Sequence, residues 1–155
     1  MDERNKYIEV NFTIINILID MGNYEEALNE INDKVFIEII NQNSILESQR
    51  EYFLAKIASV YESERLSPTI EYLERSYELI KDKSISELTW KVLLALSEIY
   101  FERGNFNRAK GFFIYAKELI NFIAENIQSP QLRKSYINQK DVKLALEKIE
   151  TYSSV

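Results

Sequence analysis

The chain of 155 residues contains no cysteine and no histidine. Those two absences remove disulfides, thiolate and imidazole zinc ligands, Ser-His and Cys-His nucleophile pairs, and imidazole proton transfer. Three glycines and two prolines are too few to punctuate an all-β protein, in which a turn signal falls every ~8–12 residues. The glycines are scattered, so no glycine-rich loop is available to cradle a phosphate. Long apolar runs are missing too. The most apolar stretch, Phe12 to Met21, contains Asn16 and Asp20 and is far shorter than the ~20 apolar residues of a membrane span. The opening MDERNKY puts two acids ahead of any apolar run, unlike the basic start of a secretory signal. A soluble cytoplasmic protein is expected. With 25 acidic against 19 basic side chains the formal charge is −6, which opposes unassisted binding to nucleic acid or to anionic lipid.

What is present is helical periodicity, carried by a 46% share of hydrophobic residues. From Phe106 the apolar side chains fall at 106, 109, 113, 116, 120, 123 and 127, the spacing of one helix face. A second stripe, Phe112, Tyr115, Leu119 and Phe122, runs beside it, so this helix must pack against two neighbours. Similar runs cover 7–21, 24–40, 45–61, 69–80 and 88–101, and no sustained alternation marks a strand. These runs predict an all-α protein, about three-quarters helical, with six longer helices and two short ones. Turns are expected near Gly22, residues 40–43, Arg65, Lys83 and Gly104.

The punctuation repeats. Ser44-Ile45-Leu46-Glu47 and Ser84-Ile85-Ser86-Glu87 both read as S-x-x-E capping boxes, each opening an apolar helix. Met21-Gly22-Asn23-Tyr24-Glu25-Glu26-Ala27 and Arg103-Gly104-Asn105-Phe106-Asn107-Arg108-Ala109 match in form and lie 82 residues apart, two periods of 41, close to the 40 that separate the two boxes. In each, Gly supplies a left-handed helix stop and Asn caps the next helix. Leu66-Ser67-Pro68-Thr69 and Ser129-Pro130 read as an N-cap Ser followed by Pro at the first helical position, and Asp141 opens a last helix. Two helices per period of about 40 predict an array of helical hairpins.

The segment from Leu93 to Ala109, followed by Phe113 and Ala116, closely resembles a tetratricopeptide repeat. Leu96, Ser97, Tyr100, Gly104, Phe106, Ala109, Phe113 and Ala116 fall on that family's signature positions. A second repeat offers Ile57, Ala58, Tyr61, Thr69, Leu73 and Ser76, with Arg65 where the family has Gly. A first offers Leu18, Gly22, Tyr24, Ala27 and Ile31, with Ile15 and Lys34 at positions usually small. The usual Trp of the first helix is missing, Trp90 lying about three residues early, and the period exceeds the family's ~34 residues. The resemblance spans about residues 8–128. It implies a right-handed superhelical array of three hairpins (about 4–42, 44–82 and 84–128) with residues 129–155 as a helical cap. The stretch from Ile123 through Asn138 also resembles the end of tetratricopeptide regions in bacterial signalling and transcription-control proteins.

No catalytic constellation stands out. Carboxylate pairs such as Glu25/Glu26 are expected to be solvated surface. Neither a calcium-type loop nor inward i, i+3 carboxylates occur, so no metal and no cofactor is expected. Ten Tyr and eight Phe sit at helical spacing and read as packing rather than as a base-stacking surface. What remains is surface. The resemblance implies that first helices line a concave face made of Phe12, Asn16, Ile19 and Asp20 in repeat one. Repeat two would add Tyr52, Lys56, Ser59 and Glu62, and repeat three Lys91, Leu94, Glu98, Phe101 and Glu102. Of the positions where chaperone-binding relatives hold a carboxylate clamp, Asn16 alone fits, which disfavours capture of an acidic C-terminus. With Glu9, this face has five acids against two lysines. The plain reading is that these charges solubilise the helices. The sharper one is a non-catalytic interaction module, not an enzyme, with an acidic, aromatic-flecked groove for a basic or basic-hydrophobic protein segment. The rivals are a sensory or regulatory region of a larger bacterial signalling protein and a self-association scaffold, a homodimer through the terminal repeats.

Overall fold

The computed structural model describes residues 3–61, 66–83 and 85–153. Among them are nine helices and no strand, with helix covering 85%. They are α1 (Glu3–Asp20), α2 (Tyr24–Ile31), α3 (Lys34–Ile40), α4 (Ser44–Tyr61), α5 (Leu66–Ile80), α6 (Glu87–Glu102), α7 (Phe106–Asn126), α8 (Pro130–Ile137) and α9 (Lys140–Ser153). Among the described residues no helix is long and apolar enough to cross a membrane. The helices divide between two compact units, Met1–Ile80 and Lys81–Val155.

The matched turns at Gly22 and Gly104 are the same structure. Their φ values are +79° and +75°, the left-handed region in which a side chain is strained. After α1, the Gly22 N–H bonds the Ile19 carbonyl and the Asn23 N–H the Leu18 carbonyl, at 3.0 and 2.8 Å. After α6, Gly104 bonds Phe101 and Asn105 bonds Tyr100, at 2.9 and 2.8 Å. Both are Schellman stops, which satisfy orphan carbonyls and reverse the chain into the next helix. Asn105 then caps α7 through its side chain, accepting from the Arg108 N–H, whereas the Asn23 side chain makes no capping bond.

Other helix starts differ from expectation. The cap of α4 is Asn43, whose Oδ1 accepts from the Ile45 and Leu46 N–H groups at 2.9 and 3.3 Å, so Ser44 lies inside the helix. Ser84 lies outside the described residues. α6 starts at Glu87 after Ser86, whose hydroxyl bonds Thr89 Oγ1 rather than a backbone amide. α5 begins at Leu66, just ahead of Pro68, which still falls in the first turn where its missing N–H costs little. α9 begins at Lys140, immediately before Asp141, and α8 starts as expected, with Ser129 accepting from Leu132 and Pro130 first in the helix.

The run 24–40, expected as one helix, is two. Asp33 Oδ1 accepts from the Phe36 N–H at 2.9 Å and starts α3 afresh. Arg50, on α4, donates to the Ile31 carbonyl and to Asn32 Oδ1 at 3.2 and 2.7 Å, closing the end of α2. The break turns Phe36 into the first unit's core, edge-on to Phe12 at 5.0 Å between ring centroids. α4 and α5 approach closely through small residues. Ser48 and Ser76, both fully buried, each donate to the other's carbonyl at 2.9 and 2.8 Å.

In the second unit the helical hairpin α6–α7 carries the core, with Leu96, Ser97, Tyr100, Ala109, Phe113 and Ala116 all buried. Phe106 departs from expectation and stays exposed, edge-on to Phe101 at 5.0 Å. α8 and α9 pack on α7, contributing Tyr136, Val142, Ala145 and Ile149 to the buried set. The cover falls on the Phe113 stripe, while Phe122, expected beneath it, is half exposed.

Gly22→Ala and Gly104→Ala are each expected to cost about 1 kcal/mol in urea denaturation, because a methyl group disfavours positive φ. Gly111 sits inside α7 with open space around it, so Gly111→Ala should instead stabilise by about 0.5–1 kcal/mol.

Candidate functional site

The residues assigned to a concave face separate into two local arrangements, one in each unit. In the first unit α1 and α4 supply them. Phe12 and Ile19 do not reach that face: both are buried, in one inward stripe with Ile8 and Ile15. The Phe12 ring lies 5.8 Å from Phe53 as well as against Phe36. Three of the remaining polar positions do come together. Asn16 Nδ2 donates to Asp20 Oδ2 at 3.1 Å, Lys56 Nζ donates to Asn16 Oδ1 at 3.3 Å, and Lys56 pairs with Asp20 Oδ1 at 3.8 Å. The same ammonium lies 5.7 Å from the Phe53 ring centroid, within cation–π reach. Tyr52 is half-buried beside Phe53, and exposed Ser59 donates back to the Lys56 carbonyl. Glu62 lies outside the described residues. Asp20 remains the outermost charge of the network, with about two-thirds of its side chain open to solvent.

In the second unit the assigned strip on α6 is already occupied by α9. Lys91 pairs with Glu87 on its own helix at 3.6 Å and with Asp141 of α9 at 3.8 Å, and stands 5.4 Å from the Trp90 ring centroid. Glu98 accepts from Lys148 of α9 at 2.5 Å. Phe101 meets Tyr152 at 4.6 Å between centroids, and Tyr152 also stacks on Phe113 at 5.0 Å and 14°. Leu94 is half-buried and Glu102 exposed. The pairs Lys91–Asp141, Glu98–Lys148 and Phe101–Tyr152 keep a near-constant sequence offset, so α9 runs parallel to α6. Its polar stripe faces α6, while Val142, Ala145 and Ile149 form its buried stripe.

No family model, curated protein or solved structure matches the chain. The case for function therefore rests on the residues themselves.

A cavity of about 770 Å³ lies outside the assigned face, between α4 and α5, walled by Glu47, Arg50, Glu51, Glu71 and Arg75, among others. Glu51 is buried, unlike the exposed pair Glu25/Glu26. Arg50 and Arg75 hold it at 3.5 and 3.7 Å, while its Oε2 makes no hydrogen bond. The sequence signal for this burial is a carboxylate one turn beyond Glu47 on a face otherwise rich in Ser and Ala. Among the described residues no group of three or more carboxylates is placed to hold a metal ion.

One clearly perturbed ionisable group among the described residues is Tyr136, on α8. Burial pushes its hydroxyl above the ordinary value of 10.0, the Glu87 carboxylate adds to that, and the neighbouring Trp90 indole opposes it. The native state thus prefers the neutral phenol, so stability is full below pH 10 and is lost as the pH climbs through the raised native value. Alkaline unfolding curves should show Tyr136→Phe losing less stability above pH 10 than the parent.

The Glu98–Lys148 contact joins two partly exposed side chains and is expected to couple them by about 0.5–1 kcal/mol. Glu98→Lys and Lys148→Glu should each destabilise the second unit, and the double reversal should recover most of the loss. Purely additive effects in urea denaturation would show that the contact contributes nothing.

Proposed function

We propose that the chain is a non-catalytic protein-interaction module built on the tetratricopeptide plan, which receives amphipathic helices carrying basic and aromatic side chains. The observation that carries this reading is the seating of α9 on α6. A lysine and a tyrosine one turn apart on α9 meet Glu98 and Phe101, also close together on one face of α6. Charge-assisted hydrogen bonding and ring contact are the chemistry a basic-hydrophobic partner would use. Two features support the tetratricopeptide plan: the identical stops at Gly22 and Gly104, and the burial of the small and aromatic positions of the α6–α7 hairpin.

On this reading the face open to a partner is the one in the first unit. Asn16 and Asp20 on α1 with Tyr52, Lys56 and Ser59 on α4 supply a carboxylate fixed from two sides, a half-buried ring and two hydroxyl groups. A partner lysine or arginine would exchange with Lys56 at Asp20, while an apolar neighbour lies against Tyr52. Binding of this kind is salt-sensitive and modest for a single short helix.

A regulatory role within a larger signalling protein is the second reading, and one observation favours it. The contacts of α9 with α6 are partly exposed ion pairs and one ring contact, which a better-matched helix could compete for while α9 stays on α7, and this makes the α6 strip a candidate switchable element.

The test is a fluorescence titration of the full chain with a panel of basic, neutral and acidic amphipathic helical peptides. Asp20→Lys with Tyr52→Ala should weaken binding of the basic peptides about tenfold or more in a protein that circular dichroism still shows folded and helical. Lys148→Ala with Tyr152→Ala, which clears the α6 strip, should strengthen it. Equal binding by all three proteins, or preference for acidic peptides, would refute the proposal.

A further inference from the structure

The outer side of α1 carries a second apolar stripe that the core does not use. Tyr7, Val10, Ile14, Ile17 and Met21 are exposed by 39, 48, 39, 50 and 67%. Their spacing is 3, 4, 3, 4, the a/d seam of a coiled coil, and three of the five are β-branched. The stripe is distinct from the inward one of Ile8, Phe12, Ile15 and Ile19, so α1 is apolar along two strips while its own unit covers one. Five apolar side chains in one continuous row form the kind of patch that marks an interaction surface.

We infer that this stripe pairs with the same stripe on a second copy of the chain, antiparallel and two-fold symmetric. The charges beside the seam choose the occupant and its direction. Lys6 and Asp20 flank the stripe on the same side, placed symmetrically about Thr13. Lys6 is exposed and has no ion-pair partner among the described residues. The Asp20 carboxylate is mostly open to solvent. An antiparallel two-fold through the middle of α1 brings Lys6 of each copy to Asp20 of the other. The same register sets Tyr7 opposite the second copy's Ile17 and Val10 opposite its Ile14, giving four apolar layers between two ion pairs. A parallel pair would set Lys6 near Asn11 and Thr13 near Leu18, with no charge complementarity. A self-complementary patch of this kind closes as a dimer and does not propagate. Four layers on an 18-residue helix, about 27 Å long, make a small interface suited to concentration-dependent association. The inference shares Asp20 with the partner face proposed above, but its apolar seam of Tyr7, Val10, Ile14 and Ile17 lies outside that face and does not depend on it.

Sedimentation equilibrium of the full chain should show a reversible monomer–dimer equilibrium. Ile14→Glu with Ile17→Glu, both on the exposed stripe, should leave a monomer of unchanged melting temperature. Lys6→Glu should weaken the dimer about tenfold through its two equivalent pairs, and adding Asp20→Lys should restore it. Because the chain has no cysteine, single thiols report the register. With a short bismaleimide, Thr13→Cys should cross-link two copies and Ile17→Cys should not. The inference is overturned by a monomer at every concentration, by a dimer that survives Ile14→Glu with Ile17→Glu, or by cross-linking at position 17 in place of 13.

Discussion

A helix with a broad apolar surface packs against more than one neighbour, and the structure of the second unit follows from that constraint. α7 is the clearest case. One side meets α6, where Ser97, Ala109 and Ala116 let the backbones approach, and the other needs a neighbour from later in the chain. α9 meets that need through Val142, Ala145 and Ile149, and Tyr152 stacks on Phe113. Once it lies there, its polar stripe is forced onto α6. The contacts to Lys91 and Glu98 are therefore a consequence of apolar cover rather than its cause, since partly exposed ion pairs contribute little on their own.

That ordering gives the α6 strip its meaning. A carboxylate and a ring close together on one helix face, Glu98 and Phe101, meet a lysine and a tyrosine of the chain's own α9. The first unit holds Asn16, Asp20 and Lys56 in a comparable arrangement beside Phe53, without such a helix among its described elements. On the proposed reading, the occupied face has a structural role and the open one a binding role.

Much of this is legible in the residues. The Gly-Asn pairs at Gly22 and Gly104 announce two equal stops, because glycine alone accepts the left-handed turn without strain. The break at Asn32-Asp33 is hidden because the apolar period runs through it. Only the capping capacity of Asp33 marks the new start. Phe12 and Ile19 fall on the wrong side of α1 when the resemblance to a tetratricopeptide repeat, rather than the apolar period, decides their orientation. The Glu98 strip is legible in its chemistry and not in its occupant. Asp141, Lys148 and Tyr152 lie at helical spacing in plain view, but their docking on α6 depends on contacts distant in sequence that no local pattern encodes.

The central claim is that α9 sits in a helix-receiving face in the way a partner would. Hydrogen exchange of residues 140–153 in the full chain, with and without a basic-aromatic helical peptide, tests it most directly. The account predicts that α9 amides are protected, that they open without global unfolding of α6 and α7, and that the peptide selectively lowers their protection. Protection of α9 that is lost only with the whole second unit and is indifferent to every such peptide would contradict it.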